Sequence, residues 1–195
     1  MSWKRIALAS ILTVGLNGAT YAGGTLTPPA VPTDIEVPAG SKLILVGHAI
    51  GTQNYICAPA ATSTGLDWFF IGPQATLFAS DGQQIATHFL SPNPEEQGTP
   101  RPTWQDAHDG SAVWGKVFGL PLTDPSYVAP GAVPWLLLEA AGTAVGPIGG
   151  EVLAKTTFIH RVNTQGGVAP AGACTVGAVA LVPYSTDYFF YRAEK

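Results

Sequence analysis

The stretch "ATLFASDGQQIATHFL", residues 75–90, places two apolar segments on either side of the pair Asp81-Gly82. A turn-forming pair between two short β-prone segments is typical of a β-hairpin. Similar short segments recur along the chain, separated by glycine, proline and aspartate. No segment places apolar residues at i, i+3, i+4 and i+7 over a helical length. The 23 glycines and 17 prolines would also interrupt any long helix.

The pattern predicts one all-β domain of about eight to ten strands, arranged as an antiparallel β-sandwich or a barrel-like sandwich. We expect this domain to cover residues 34–195, after an extended lead-in over residues 23–33 that contains three prolines. Residues 91–109 are rich in proline and are expected to form one long irregular loop.

The N-terminal segment has the organisation of a secretory signal peptide. Lys4 and Arg5 precede an uncharged run over residues 6–18, and small residues lead up to Ala22. A run of roughly 13 residues is shorter than the roughly 20 needed to span a bilayer. The pattern predicts a signal peptide over residues 1–22 and a secreted or periplasmic protein. Loss of its two basic residues changes the formal charge from -4 to about -6.

The composition excludes several classes of partner. The chain has 9 basic and 13 acidic residues and no basic cluster, so nothing indicates nucleic-acid binding. After signal removal no membrane span is expected, because the longest apolar stretch, residues 128–145, is interrupted by two prolines and Glu139. No cofactor is implied. The glycine-rich residues 142–150 lack the G-x-G-x-x-G spacing of a dinucleotide site.

Two cysteines, Cys57 and Cys174, occur in the chain. In an oxidising compartment such a pair usually forms one disulfide. Two free thiols or a pair of soft-metal ligands are the alternatives. No C-x-x-C pair supports a zinc site.

The segment "TWQDAHDGSAVWG", residues 103–115, contains several side chains that could bind a ligand or a metal. Trp104, Asp106, His108 and Asp109 form a candidate ligand-binding site, with Trp104 expected to be exposed as a stacking platform. His108 is also a weak candidate metal ligand, together with His88 or His48. The alternative is an ordinary turn, because Asp109-Gly110-Ser111 is a turn signal and Asp106 can bond to its own backbone.

The segment "TTFIHRVN", residues 156–163, is predicted to be a strand, which would place His160 on one face and Arg161 on the other. His160 lies between apolar residues, and a hydrogen-bonded core histidine is the favoured interpretation. Arg161 is expected to pair with Asp106 or Asp109, as a structural ion pair or as part of an anion-recognising site. We therefore include Arg161 among the candidate ligand-binding residues.

Four stretches together resemble a known family. They are "GTQNYIC" (51–57), "PTWQDAHDGSAVWG" (102–115), "RVNTQGGVAPAGAC" (161–174) and "VPYSTDYFFY" (182–191). The chain is similar to the secreted bacterial and fungal family catalogued as domain of unknown function 3455. The resemblance covers nearly the whole chain after the signal peptide and implies no established activity.

The sequence thus favours a non-enzymatic binding module for an unknown ligand, such as a carbohydrate or another small polar molecule. No catalytic residue is assigned. One alternative is a metal-dependent or hydrolytic enzyme that uses the His/Asp cluster. Another is a structural protein of the envelope or cell surface.

Overall fold

The computed structural model describes residues 26–60 and 65–194. The predicted signal peptide, residues 1–22, lies outside the described residues. In the described ranges, no helix is both long and apolar enough to cross a membrane. Residues 26–32 form no strand or helix, and short 3-10 helices lie at Thr33–Ile35 and Pro94–Glu96.

The described residues form an all-β fold, as the sequence predicts, and its eight antiparallel strands close into a barrel. Each strand pairs with its neighbours in sequence, and the first strand pairs with the last. The strands are β1 Ser41–Pro59, β2 Leu66–Phe78, β3 Gln84–Asn93, β4 Thr99–Asp106, β5 Ala112–Val117, β6 Leu136–Ala144, β7 Phe158–Gly166 and β8 Val179–Ala193.

The predicted hairpin around Asp81-Gly82 is confirmed, with a loop longer than the two-residue signal suggests. The Ala79 N–H donates to the Gln83 carbonyl at 2.8 Å, which leaves three residues in the loop. Gly82 has a φ of 84°, and the register between β2 and β3 shifts next to the loop. A glycine at positive φ beside such a shift is a common three-residue hairpin solution.

The prediction of one long irregular loop over residues 91–109 is wrong. Strand β3 extends into this region, and β4 occupies most of its second half. Pro100 and Pro102 fit because β4 pairs with β5 only from Thr103 onward. The Asp106 N–H points toward β5. Backbone N–H directions alternate along a strand, so the nitrogen atoms of Pro100 and Pro102 face the same side as that of Asp106. At those two positions this side of β4 has no partner strand, so no hydrogen bond is lost.

The barrel interior is filled by alternate residues of the strands. Along β1, for example, Gly47, Ala49, Gln53, Tyr55 and Cys57 are buried, while the residues between them are more exposed. Such alternation follows from the period-two geometry of a strand. The apolar interior includes Leu77, Ile85, Trp104, Val113, Leu138, Leu153, Ile159 and Phe190.

A second apolar layer covers the outside of β6, β7 and β8. Ile35 from the N-terminal segment and Val128 and Trp135 from the β5–β6 connection pack on Leu137 and Phe189. His160 is buried beneath this outer layer, which confirms the prediction of a buried, hydrogen-bonded histidine. Its ring contacts the Tyr191 hydroxyl at 3.1 Å through Nδ1 and the Ile35 carbonyl at 2.6 Å through Nε2.

The disulfide predicted from the cysteine count is confirmed between Cys57 and Cys174, whose Cα atoms are 6.0 Å apart. It attaches the β7–β8 connection to the end of β1. Two backbone hydrogen bonds of 2.9 Å reinforce the attachment, one from Cys57 to Ala178 and one from Gly177 to Cys57. A disulfide is consistent with an oxidising compartment outside the cytoplasm.

Candidate functional site

The predicted Asp/His cluster lies at the turn between β4 and β5, and its carboxylates hold backbone N–H groups. Asp106 Oδ1 accepts from the backbone N–H groups of His108 and Asp109, both at 2.8 Å. Asp109 accepts from the Ser111 N–H at 2.7 Å and from the Val152 N–H at 3.0 Å. The second of these bonds reaches across to the β6–β7 connection. This geometry matches the turn interpretation of the segment.

The charge state of Asp109 agrees with that structural use. Burial acts to raise the pKa of Asp109, but the hydrogen bonds from Ser111 and Val152 outweigh it and hold the pKa below its usual value. His108 is exposed on the same turn. Among the residues that the structure describes, no group of three or more His, Cys, Asp or Glu side chains is arranged to hold a metal ion.

Trp104 is not the exposed platform that its polar neighbours suggest. Its side chain faces the barrel interior, and only 1% of the residue is exposed. His88 stacks on the indole with ring centroids 4.3 Å apart, and Tyr188 and Phe190 meet it edge-on at 5.2 and 6.1 Å. The indole needs the absence of a side chain at Gly115, where a Cβ would lie 2.8 Å from Trp104 Cζ3.

Arg161 also faces the interior, since it lies directly opposite Tyr188 and Leu136 in the sheet. The expected pairing with Asp106 or Asp109 is not formed. Instead, Nε and Nη2 of Arg161 both donate to the Pro134 carbonyl, at 3.2 and 2.8 Å. None of the ion pairs in residues 26–60 and 65–194 involves Arg161. The guanidinium is half-buried beside neutral groups, without a carboxylate partner.

Three buried polar residues that the sequence analysis did not single out lie next to Arg161. Tyr184 and Tyr188 lie on the inner face of β8 with the buried Thr186 between them, and Gln53 lies on the inner face of β1. Tyr188 is close enough to interact with Arg161 and Tyr184, and Tyr184 with Gln53. None of these approaches has good hydrogen-bond geometry, and both tyrosine hydroxyls and Gln53 Nε2 are buried without a partner.

We call Gln53, Arg161, Tyr184 and Tyr188 the tyrosine–arginine end of the barrel. Trp104 borders it and has a buried Nε1 that also lacks a partner. The loop after β7 covers this end, where the Tyr55 hydroxyl donates to the Gly167 carbonyl at 2.7 Å. The sequence carried a signal for it. Gln53 and Tyr55 lie on the same strand face as Cys57, and Tyr184 and Tyr188 lie on one face of the last strand.

Burial determines the protonation of the groups at this end. It raises the pKa of Tyr184 and Tyr188, and the positive charge of Arg161 only partly opposes the shift. Burial also lowers the pKa of His88 from 6.5 to about 3, although its hydrogen bond to the Thr103 carbonyl acts the other way. At neutral pH the interior therefore contains neutral tyrosines, a neutral histidine and one positive charge.

The buried neutral state of His88 predicts a loss of stability in acid. Between pH 6.5 and 3 the unfolded chain binds a proton at this position that the folded chain does not, so lowering the pH favours unfolding. We expect His88 to contribute about 2 kcal/mol to the stability lost between pH 7 and 4.5. Urea unfolding at both pH values measures this loss.

His88→Asn keeps an N–H donor for the Thr103 carbonyl but has no titrating ring, so its loss of stability should be smaller than that of the wild type. An equal acid loss in the His88→Asn variant and the wild type would show that His88 does not resist protonation.

Comparisons with known proteins identify the family but not an activity. Neither the curated proteins nor the solved structures contain a match to this chain. The model of one family matches residues 38–192, which include all eight strands of the barrel except the last residue of β8, Ala193. The chain therefore belongs to the family described as "Protein of unknown function (DUF3455)".

Proposed function

We propose that the protein is a binding module that takes up a small, acceptor-rich acid, such as a uronic acid or a hydroxy acid, at the tyrosine–arginine end of its barrel. One observation carries the proposal. Buried polar atoms without partners lie beside an arginine that has no carboxylate partner. Buried polar groups in proteins are nearly always hydrogen-bonded, and each one left unpaired costs about 1–3 kcal/mol.

The identity of these atoms indicates the chemistry of the ligand. The Arg161 guanidinium, Gln53 Nε2 and Trp104 Nε1 are donors only, and the hydroxyls of Tyr184 and Tyr188 can donate. A carboxylate satisfies a guanidinium through charge-assisted hydrogen bonds. Additional oxygen atoms on the ligand would accept from the hydroxyls and the indole. Sites for small ligands in proteins commonly combine aromatic side chains with a few converging polar groups.

Binding of glucuronate and citrate, followed by ligand-detected NMR, tests the proposal, with glucose as the neutral comparison for glucuronate. We expect at least one of the acids to bind, and Arg161→Met to weaken it about tenfold or more, since a hydrogen bond to a charged group contributes about 1.5–3 kcal/mol. Arg101→Met is the matched control, because Arg101 is paired with Glu96 at 2.7 Å. Equal affinity in the Arg161→Met variant and the wild type would refute the site.

Tyr188→Phe separates a binding role from a structural role. Its hydroxyl has no partner, so its removal should leave the free energy of unfolding unchanged or raise it by about 1 kcal/mol, while weakening acid binding. Tyr55→Phe is the control, because the Tyr55 hydroxyl donates to Gly167 and its loss should cost about 1 kcal/mol. Urea unfolding of both variants gives the comparison. An equal loss in the two would mean that the Tyr188 hydroxyl is bonded within the folded protein.

A further inference from the structure

The opposite mouth of the barrel carries a concentration of positive charge. Lys42, near the start of β1, and Arg192, near the end of β8, lie directly opposite each other in the sheet. Together with Lys155 and Thr157 they line a cleft of about 890 Å³, which Ala193 and Glu194 complete. We call Lys42, Lys155 and Arg192 the basic mouth.

The basic mouth is separate from the tyrosine–arginine end. Arg192 follows Phe190 by two residues and Thr157 precedes Ile159 by two, so both continue the inward-facing series toward this opening. Along β8, Arg192 and Tyr188, the member of the tyrosine–arginine end nearest to it, are four residues apart, which corresponds to roughly 13 Å of strand. The apolar and aromatic residues of the core fill the barrel between the two ends.

The charges of the basic mouth are incompletely neutralised. Lys155 forms an ion pair with Glu151, and Glu194 also lines the cleft. Lys42 and Arg192 take part in none of the ion pairs in the described part of the chain. Two like charges directly opposite each other in a sheet repel and destabilise the pairing. Their placement is unusual in a chain with only 9 basic residues and a formal charge of -4.

We propose that the basic mouth binds a phosphate group. Arg192 offers a planar fork of donors that matches two phosphate oxygens, and Lys42 offers a point charge from the neighbouring strand. An anion between them would replace a repulsion with two attractions. The cleft is larger than a phosphate group needs, so the phosphate belongs to a larger molecule. A soluble phosphate compound and a phospholipid headgroup share this chemistry.

Isothermal titration calorimetry with pyrophosphate, at low ionic strength, tests the site in the full protein. Lys42→Met and Arg192→Met together should weaken binding by about tenfold or more. Arg101→Met and Lys116→Met each remove one charge from an ion pair elsewhere on the barrel and should leave the affinity within about twofold. Pyrophosphate binding that Arg161→Met abolishes and the double variant retains would place the anion at the tyrosine–arginine end and overturn this proposal, so either proposal can fail alone.

A second measurement uses thermal unfolding, which does not depend on the heat of binding. Pyrophosphate should raise the melting temperature of the wild type and not that of the double variant. Cosedimentation with vesicles of phosphatidylglycerol, against phosphatidylcholine, identifies the source. Binding that the double variant loses assigns a lipid headgroup, and pyrophosphate binding without vesicle binding assigns a soluble compound. Failure of the wild type to bind either probe, or equal binding by the double variant, would overturn the proposal.

Discussion

Replacing both Cys57 and Cys174 with alanine is expected to lower the free energy of unfolding by about 2–5 kcal/mol, one of the two largest effects that the structure predicts. The disulfide closes a loop between residues 117 positions apart. In the chain-entropy model, such a closure removes many conformations from the unfolded chain, and strain or residual structure reduces the gain toward about 2 kcal/mol. A typical domain has only about 5–15 kcal/mol of stability in total.

Urea unfolding of the double variant under oxidising conditions measures this effect. Wild-type protein unfolded in the presence of a thiol reductant is the control and should reproduce the midpoint of the double variant. The loop after β7 also contributes the Gly167 carbonyl that accepts from Tyr55. Loss of the disulfide should therefore weaken any ligand that binds at the tyrosine–arginine end. An unchanged midpoint would show that the backbone contacts of Cys57 hold this loop without the covalent bond.

Trp104→Ala is the second large effect, with an expected loss of about 3–5 kcal/mol in the free energy of unfolding. The indole is buried among His88, Tyr188 and Phe190, so its removal leaves a cavity in the centre of the barrel. Gly115, shaped to the indole, cannot fill the space. Trp104→Phe retains part of the ring contact and should cost less.

Trp68→Ala is the matched control for this substitution. Trp68 lies on β2 and is only partly buried, so its removal should cost clearly less than that of Trp104. Equilibrium unfolding in urea compares the three variants with the wild type. If Trp104→Ala and Trp68→Ala were equally mild, the indole of Trp104 would not be the centre of the core. An exposed Trp104, as the local sequence suggests, would give such a result.

The burial of Trp104 shows that, in a strand, residues two positions away indicate burial better than adjacent residues do. Thr103 and Gln105 are polar, but they point away from the face that carries Trp104. The residues that share its face are Pro102 and Asp106, two positions away. Gln105 is exposed and Trp104 is buried, so polarity of the adjacent residue carried no information about burial.

Local sequence predicted much of the fold but not its closure. The hairpin at Asp81-Gly82 and the opposite faces of His160 and Arg161 follow from patterns within a few residues. The disulfide follows from the cysteine count and compartment. A sandwich and a closed barrel have the same alternation along each strand, and only the pairing of β1 with β8 distinguishes them. That pairing is a contact between distant parts of the chain, which local patterns do not encode.

The candidate site was predictable only in part for a related reason. The sequence indicated that Arg161 and Trp104 belong to the site. It predicted a carboxylate partner for Arg161 and an exposed position for Trp104, and the structure shows neither. The groups that surround Arg161 are instead Tyr184, Tyr188 and Gln53, which come from β8 and β1. Strand β8 is the sheet neighbour of β7 and places Tyr188 opposite Arg161, whereas β1 with Gln53 and β4 with Trp104 reach this region across the closed barrel. Asp106, His108 and Asp109 are close together in sequence and resemble a site, but they form the turn between β4 and β5.

The pairing of β1 with β8 also has a kinetic consequence. Ser41 lies opposite Ala193, so the barrel cannot close until strands from the two ends of the domain meet. During synthesis β1 emerges first, and the side of Ser41–Ile56 that pairs with β8 stays unpaired until the last strand is available. Contacts between residues so distant in sequence slow folding, and an open strand edge invites pairing with other chains. The pairing of β1 with β8 removes this open edge, and it is the last strand pairing that can form because β8 is the last strand to be synthesised.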